Sequence, residues 1–300
     1  MTQTAYQSVS GQGEVRDYFV LLKPRVMSLV VFTGFAGLAI APGDLHPVLA
    51  AVAVLCIAVA SGAAGAINMW YDRDIDAVME RTRQRPIPTG KVEPPEALAF
   101  GVILASGAVM LLFLATNVVA AGLLAVAVLF YVFVYTMWLK RRTTQNIVIG
   151  GAAGAFPPAI GWAAVTGDVG IEAAILFVLI FFWTPPHFWA LALYRKGDYA
   201  AAGVPMLPVV HGTRETKRQM LLYTVFLVPL SLAPCFFGFA GWPVYGAVAG
   251  ALSLIFLALA IAVWRDESDR SAKRMFGYSI FYLFGLFAIL IADNALMTAV

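Results

Sequence analysis

Apolar residues run along this chain in unbroken stretches of about twenty, separated by polar segments that alternate between long and very short. The stretches fall at 24–41, 47–70, 96–115, 118–139, 147–166, 171–193, 219–239, 243–264 and 275–298. Twenty helical residues, at ~1.5 Å each, match the ~30 Å hydrocarbon core of a bilayer. Only helices and closed barrels satisfy every backbone group in lipid, and a barrel requires ~10-residue segments of alternating polarity. The pattern predicts an all-α polytopic membrane protein with nine transmembrane helices.

The polar segments carry the orientation. All twenty Lys and Arg residues lie in alternate segments: three before and at the start of the first span, then five, three, five and four. The opposite turns, near 42–46, 116–117, 167–170 and 240–242, hold none and are short. The positive-inside rule puts the N-terminus and the long loops in the cytoplasm and the C-terminus on the far side. An error of one in the span count would break this alternation. Tight far-side turns leave the cytoplasmic loops as the place for function.

Composition agrees with lipid as solvent. Of 300 residues, 61% are apolar and 12% charged, with mean hydropathy +0.83; soluble domains are roughly half apolar and about a quarter charged. The net charge of +3 is informative only through its placement. The polar segment 1–17 lacks the basic start and short apolar core of a cleaved signal peptide. Cys56 and Cys235 lie inside apolar stretches with no metal-ligand partner nearby, and read as packing residues. Nothing marks a second domain, so 1–300 reads as one.

The second span ends in Asn68-Met-Trp-Tyr-Asp72-Arg-Asp74-Ile-Asp76. Spacing by four puts Asn68, Asp72 and Asp76 on one helix stripe drifting ~40° per step over ~12 Å, with Asp74 on the opposite side. Two carboxylates and an amide oxygen form a hard-oxygen surface suited to Mg²⁺, which takes one or two carboxylates together with waters and phosphate oxygens. Arg81, Arg83, Arg85 and Lys91 follow, with Pro86 and Pro88 fixing the backbone. Acids for a metal followed by guanidinium forks suit a diphosphate. Solvated charges at a helix end are the plainer reading, but an amide inside an apolar span is costly in lipid and points to function.

A second loop follows the sixth span: Trp183-Thr-Pro185-Pro186-His187-Phe188-Trp189, then Tyr194-Arg195-Lys196-Gly-Asp198. Asp72 and Asp198 end even-numbered spans four helices apart, which suggests two four-helix halves plus a ninth helix, their acidic ends meeting at one cytoplasmic mouth. Paired prolines in the fifth span (Pro157, Pro158) and the sixth are expected to bend both helices and open a central cavity to the cytoplasmic side. Gly150, Gly151, Gly154 and Gly161 permit close helix approach. His187 has two readings: a core histidine bonded to a carbonyl freed by the kink, or an axial ligand or proton carrier at a cofactor-sized ring. Trp183, Phe188 and Trp189 would line that space or serve packing. Asp293, near the far end of the ninth span, reads as interfacial.

At these residues the chain resembles the UbiA-type superfamily of intramembrane prenyltransferases. Asn68–Asp76 matches N-x-x-x-D-x-x-x-D, and Arg81-Thr82 through Arg85-Pro86 matches the tail of that loop. The second motif of the superfamily, D-x-x-x-D, reads Tyr194 to Asp198 here, without its first acid. Segments Asn146–Trp162, Pro186-His187-Phe188-Trp189 and Asp198–Pro208 are similar to the protoheme IX farnesyltransferase branch. The resemblance implies that protoheme IX, farnesyl diphosphate and water give heme O and diphosphate. It implies Mg²⁺ at Asn68, Asp72, Asp76 and Asp198, and catalytic parts for Asp72, Asp76, Asp198 and His187. Arg81, Arg85, Lys140, Arg141 and Arg195 would bind substrate. The expected setting is a bacterial inner membrane. Membrane lipid surrounds the chain, nucleic acid is not a partner, and heme A synthase or terminal oxidase assembly factors are candidate partners.

Two rivals remain at this point. A prenyltransferase acting on an aromatic quinone precursor shares the diphosphate half; His187 and the missing acid at Tyr194 favour heme. A transporter would gather its polar groups near the midplane, whereas these gather at the rim.

Overall fold

The computed structural model describes residues 13–298; residues 1–12 of the polar N-terminal segment lie outside the described residues. In chain order the helices are α1 (Val15–Leu21), α2 (Pro24–Ile40), α3 (Pro47–Tyr71), α4 (Arg73–Val78), α5 (Pro94–Ala115), α6 (Val118–Leu129), α7 (Asn146–Thr166), α8 (Ile171–Tyr194), α9 (Lys196–Ala201), α10 (Leu207–Val210), α11 (Gly212–Ser231), α12 (Ala233–Phe236), α13 (Ala247–Arg265) and α14 (Asp269–Thr298). A π-helical stretch, Phe130–Trp138, and a 3₁₀ turn, Leu139–Arg141, extend α6; another π turn, Trp242–Gly246, leads into α13.

Eight of these units, counting the extensions, are long and apolar enough to cross a membrane. The first span is built differently from its expectation. Seventeen residues of α2 cover only about 25 Å, and a ninth crossing is complete only if α1, bent 55° from α2, belongs to it. Pro24 explains the corner: its ring disfavours a helical residue before it, and Lys23 takes a left-handed φ of 51°. Large apolar side chains such as Ile103, Leu114, Val118 and Phe226 point outward, as lipid requires. The chain is an integral membrane protein.

Apolar packing forms two main clusters. One joins α3, α5, α6 and one face of α7; the other joins α2, α8, α11, α13, α14 and the opposite face of α7. The two groups of helices therefore share α7, whose apolar window is 67% buried against 22% for Val118–Arg141. Close approach of α2 to α7 depends on glycine. A Cβ at Gly37 would lie 2.0 Å from the Pro158 carbonyl oxygen, and one at Gly161 equally close to that of Gly34. Both α7 and α8 run as unbroken helices through their proline pairs.

Cys56 and Cys235 are buried and unpaired, as packing residues should be. Asp293, near the end of α14, is enclosed by protein. It is 2% exposed and accepts a 2.6 Å hydrogen bond from the Gly241 backbone N–H, tying the turn before α13 to α14. A buried carboxylate with a backbone donor holds an otherwise weak turn.

Candidate functional site at the basic end of the bundle

The acidic stripe survives a break in the helix. Regular α3 stops at Tyr71 and α4 starts at Arg73, with Asp72 at φ −90° and ψ 13° between them. Hydrogen bonds from Asp72 N to Asn68 O (2.9 Å) and from Asp76 N to Asp72 O (2.8 Å) carry the four-residue spacing across. Asn68, Asp72 and Asp76 are 4%, 0% and 2% exposed. Carboxylates this deep need cations or donors in contact with them.

Each acid has them. Asp72 Oδ2 accepts from Asn68 Nδ2 at 2.8 Å and pairs with the Lys140 ammonium, and Arg141 Nη2 lies 3.4 Å from its Oδ1. Arg85 Nη1 meets Asp76 Oδ2 at 2.6 Å. The π-helical end of α6 makes the first set possible: its wider turns bring Thr136, Lys140 and Arg141 toward the stripe, and Thr136 Oγ1 accepts from Asn68 Nδ2 at 3.1 Å. Such π segments recur at functional sites. A Cβ at Gly150 would lie 2.2 Å from the Tyr135 ring, so the bare glycine lets α7 close on this segment.

Sequence reasoning missed Lys23, counting it only toward orientation. Its Nζ donates to Asn68 Oδ1 at 2.7 Å from the α1–α2 corner. The signal was the Lys23-Pro24 pair at the mouth of the first span. With Lys23 on its oxygen and Asp72 and Thr136 on its nitrogen, Asn68 is held in place and in turn orients Asp72.

Arg141 divides its donors. Its guanidinium meets both Asp74 oxygens at 2.7 Å, donates to the Tyr71 carbonyl at 3.1 Å and lies over the Tyr71 ring at 4.9 Å. That hydrogen bond holds the Asp74 carboxyl down at about 2 against partial burial. Asp74, off the stripe, thus anchors a cation that also reaches Asp72.

Packing pins the basic loop. Ile87 and Val92 bury against Leu21, Ala66, Met69 and Ala97, Gly90 takes φ 74° to turn the chain, and Thr82 Oγ1 donates to the Asp76 carbonyl at 3.0 Å. The second acidic loop joins the first through apolar contacts: Ile75 and Met79 pack with Tyr199, Val204, Met206 and Ile147. Burial raises the Tyr199 hydroxyl, and the nearby Arg81 charge opposes that rise.

On that loop Arg195 and Asp198 approach to 3.7 Å, yet Asp198 Oδ2 is sealed from solvent without a hydrogen bond. Tyr194, at the position of the missing acid, packs edge-on against Phe276 with Lys273 over its ring at 5.6 Å. No three His, Cys, Asp or Glu side chains among the described residues are gathered closely enough to hold an ion alone. Two buried carboxylates one turn apart nevertheless fit a divalent cation that takes its remaining ligands from phosphate and water.

His187 faces α14. Its Nδ1 lies 2.6 Å from Ser279 Oγ, not at a freed carbonyl, and its ring stacks between Trp183 (4.4 Å) and Phe276 (4.7 Å) with Phe188 edge-on. The carbonyl partner belongs to Trp183, whose Nε1 donates to Ser279 O at 2.9 Å. Trp189 turns to the other side of α8, edge-on to Tyr223 of α11.

Known proteins share this architecture. The model of the UbiA prenyltransferase family matches residues 30–286. A protoheme IX farnesyltransferase of Parvibaculum lavamentivorans is 61% identical over 98% of this chain and 93% of its own length. One from Azorhizobium caulinodans is 59% identical over 96% and 95%. Among solved structures, a UbiA homolog from Archaeoglobus fulgidus bound to GPP and Mg²⁺ superposes with a TM-score of 0.69 at 18% identity, covering 91% of this chain and 99% of that one. A digeranylgeranylglyceryl phosphate synthase reaches 0.76 at 18% identity over 93% and 98%.

Proposed function

The chain belongs to the UbiA prenyltransferase family, and from that premise we propose that it transfers a farnesyl group from farnesyl diphosphate to a vinyl group of protoheme IX. Water adds in the same reaction, giving heme O and diphosphate. Relatives near 60% identity over almost the whole chain bear the name of this activity. The structural observation that carries the diphosphate half is the buried Asp72–Asp76 stripe ringed by Lys140, Arg141 and Arg85.

Asp72 and Asp76, with Asp198, would hold a divalent cation, which Mg²⁺ in the A. fulgidus homolog supports. Bound there, such an ion would supply positive charge against the departing diphosphate. Arg85, Lys140 and Arg141, gathered around the stripe, would supply the same kind of stabilisation. Arg81, on the first loop beside Tyr199, and Arg195, on the second, would bind the same group. Asn68 and Lys23 keep Asp72 oriented.

The allylic carbon needs a dry space below this rim. Closely packed α2, α7 and α8 exclude water that would quench the farnesyl cation early. The vinyl carbon then bonds to it, and water captures the cation left on the acceptor side, losing a proton to leave the hydroxyl. The bundle lies in a bacterial inner membrane with the basic end in the cytoplasm, where soluble diphosphate leaves and a lipid-borne acceptor arrives; the twenty one-sided cations support that orientation.

A competition assay tests the acceptor. Purified protein given farnesyl diphosphate with protoheme IX and an aromatic quinone precursor should farnesylate the heme. Prenylation of the aromatic ring alone would reject the reading.

A further inference from the structure

His187 and Ser279 form a unit that the diphosphate chemistry does not use. Ser279 is fully buried and its single hydroxyl proton has two claimants: the Phe276 carbonyl at 2.6 Å and His187 Nδ1, also at 2.6 Å. The carbonyl can only accept. Both contacts are hydrogen bonds only if Ser279 donates to Phe276 and His187 donates to Ser279. The proton therefore sits on Nδ1, and Nε2 carries a bare lone pair.

That lone pair has no partner among the described residues. It is also absent from the sealed unpartnered polar atoms, which are Arg141 Nε, Asn146 Oδ1, Trp189 Nε1, Arg195 Nε and Asp198 Oδ2. Nε2 thus lies on the part of the ring left open, the residue being 8% exposed overall. Trp183 and Phe276 cover both ring faces at interplanar angles of 18° and 23°. A flat ligand cannot stack on this imidazole; it can only meet the edge. Trp183 is itself locked to Ser279 O, so α8 and α14 fix the ring from three sides.

We propose that His187 binds the iron of the metalloporphyrin acceptor through Nε2, and that Ser279 is the positioning residue that sets its tautomer. The inference rests on the heme-farnesylating reading and assigns the acceptor's anchor within it. A neutral imidazole with Nδ1–H engaged is the form suited to a metal, because the partner fixes the ring and raises its basicity.

Spectroscopy separates the outcomes. Protoheme IX is added to the full-length protein in detergent, and the Fe–His band in resonance Raman and the Soret maximum are recorded. Wild type should show a histidine-ligated iron, and His187→Ala should lose that band. Ser279→Ala should weaken heme affinity roughly 10-fold or more and shift the Soret maximum, with the KM for farnesyl diphosphate unchanged. Ser279→Thr, which keeps the hydroxyl, should restore the wild-type spectrum and serves if the alanine variant does not fold. A histidine-ligated spectrum in His187→Ala, or a Ser279→Ala spectrum and affinity identical to wild type, overturns the assignment alone. Failure of wild type to bind heme overturns the acceptor reading with it.

Discussion

At the scale of residues, the site is a set of buried acids that cannot stand without cations. Asp72 is the centre of it, touched by Asn68, Lys140 and Arg141. Asp72→Asn keeps the shape but removes the charge, so prenyl transfer should fall ~10²-fold or more while the protein still inserts and folds; a single-turnover assay on correctly folded protein measures it. Lys23→Met should lower kcat/KM about 10-fold or more, the scale of one charge-assisted hydrogen bond, because Asn68 loses the donor on its oxygen. Asp74 offers a contrast. Its carboxyl sits at about 2 and is 63% exposed. A depressed carboxylate contributes stability above its ordinary range, near pH 4, and loses it as pH falls toward 2. Thermal midpoints of wild type and Asp74→Asn should therefore differ slightly at neutral pH and converge in acid. The stripe was legible because carboxylates four apart inside an apolar run have few innocent explanations. Lys23, Thr136 and Ser279 were not, because what makes each one matter is a partner 45 to 92 positions away.

At the scale of elements, helix length and charge were readable, but helix irregularity was not. Apolar runs fixed eight spans outright, while the α1–α2 corner came from one proline and one left-handed lysine. The π-helical end of α6 has no marker in its sequence, yet it decides where Lys140 and Arg141 go. Glycines on α7 signalled close approach; the contacts tell which of them matter and add Gly37 of α2. Gly37→Ala and Gly161→Ala each push a Cβ to 2.0 Å from a backbone oxygen that cannot yield without moving a helix. Each should cost ~1–3 kcal/mol or more and lower the melting temperature in detergent. Gly154→Ala, with no neighbour within 4 Å, should leave it equal or higher.

At the scale of the whole molecule, one-sided charge and alternating loop length carry the expected topology, because the positive-inside bias acts on every short loop. Sequence alone could propose that the two acidic loops meet; the cluster of Ile75, Met79, Tyr199, Val204 and Met206 is the join. It holds the loop that carries Asp198 against the one that follows Asp72 and Asp76. The mouth at these loops is where diphosphate and a divalent cation should bind together. Calorimetric titration of farnesyl diphosphate into wild type and Asp72→Asn, with Mg²⁺ and after chelation, measures this directly. Tight binding only for wild type with Mg²⁺, weakened about 10-fold or more by either the substitution or the chelator, is the predicted result; equal affinity in all four titrations would contradict it.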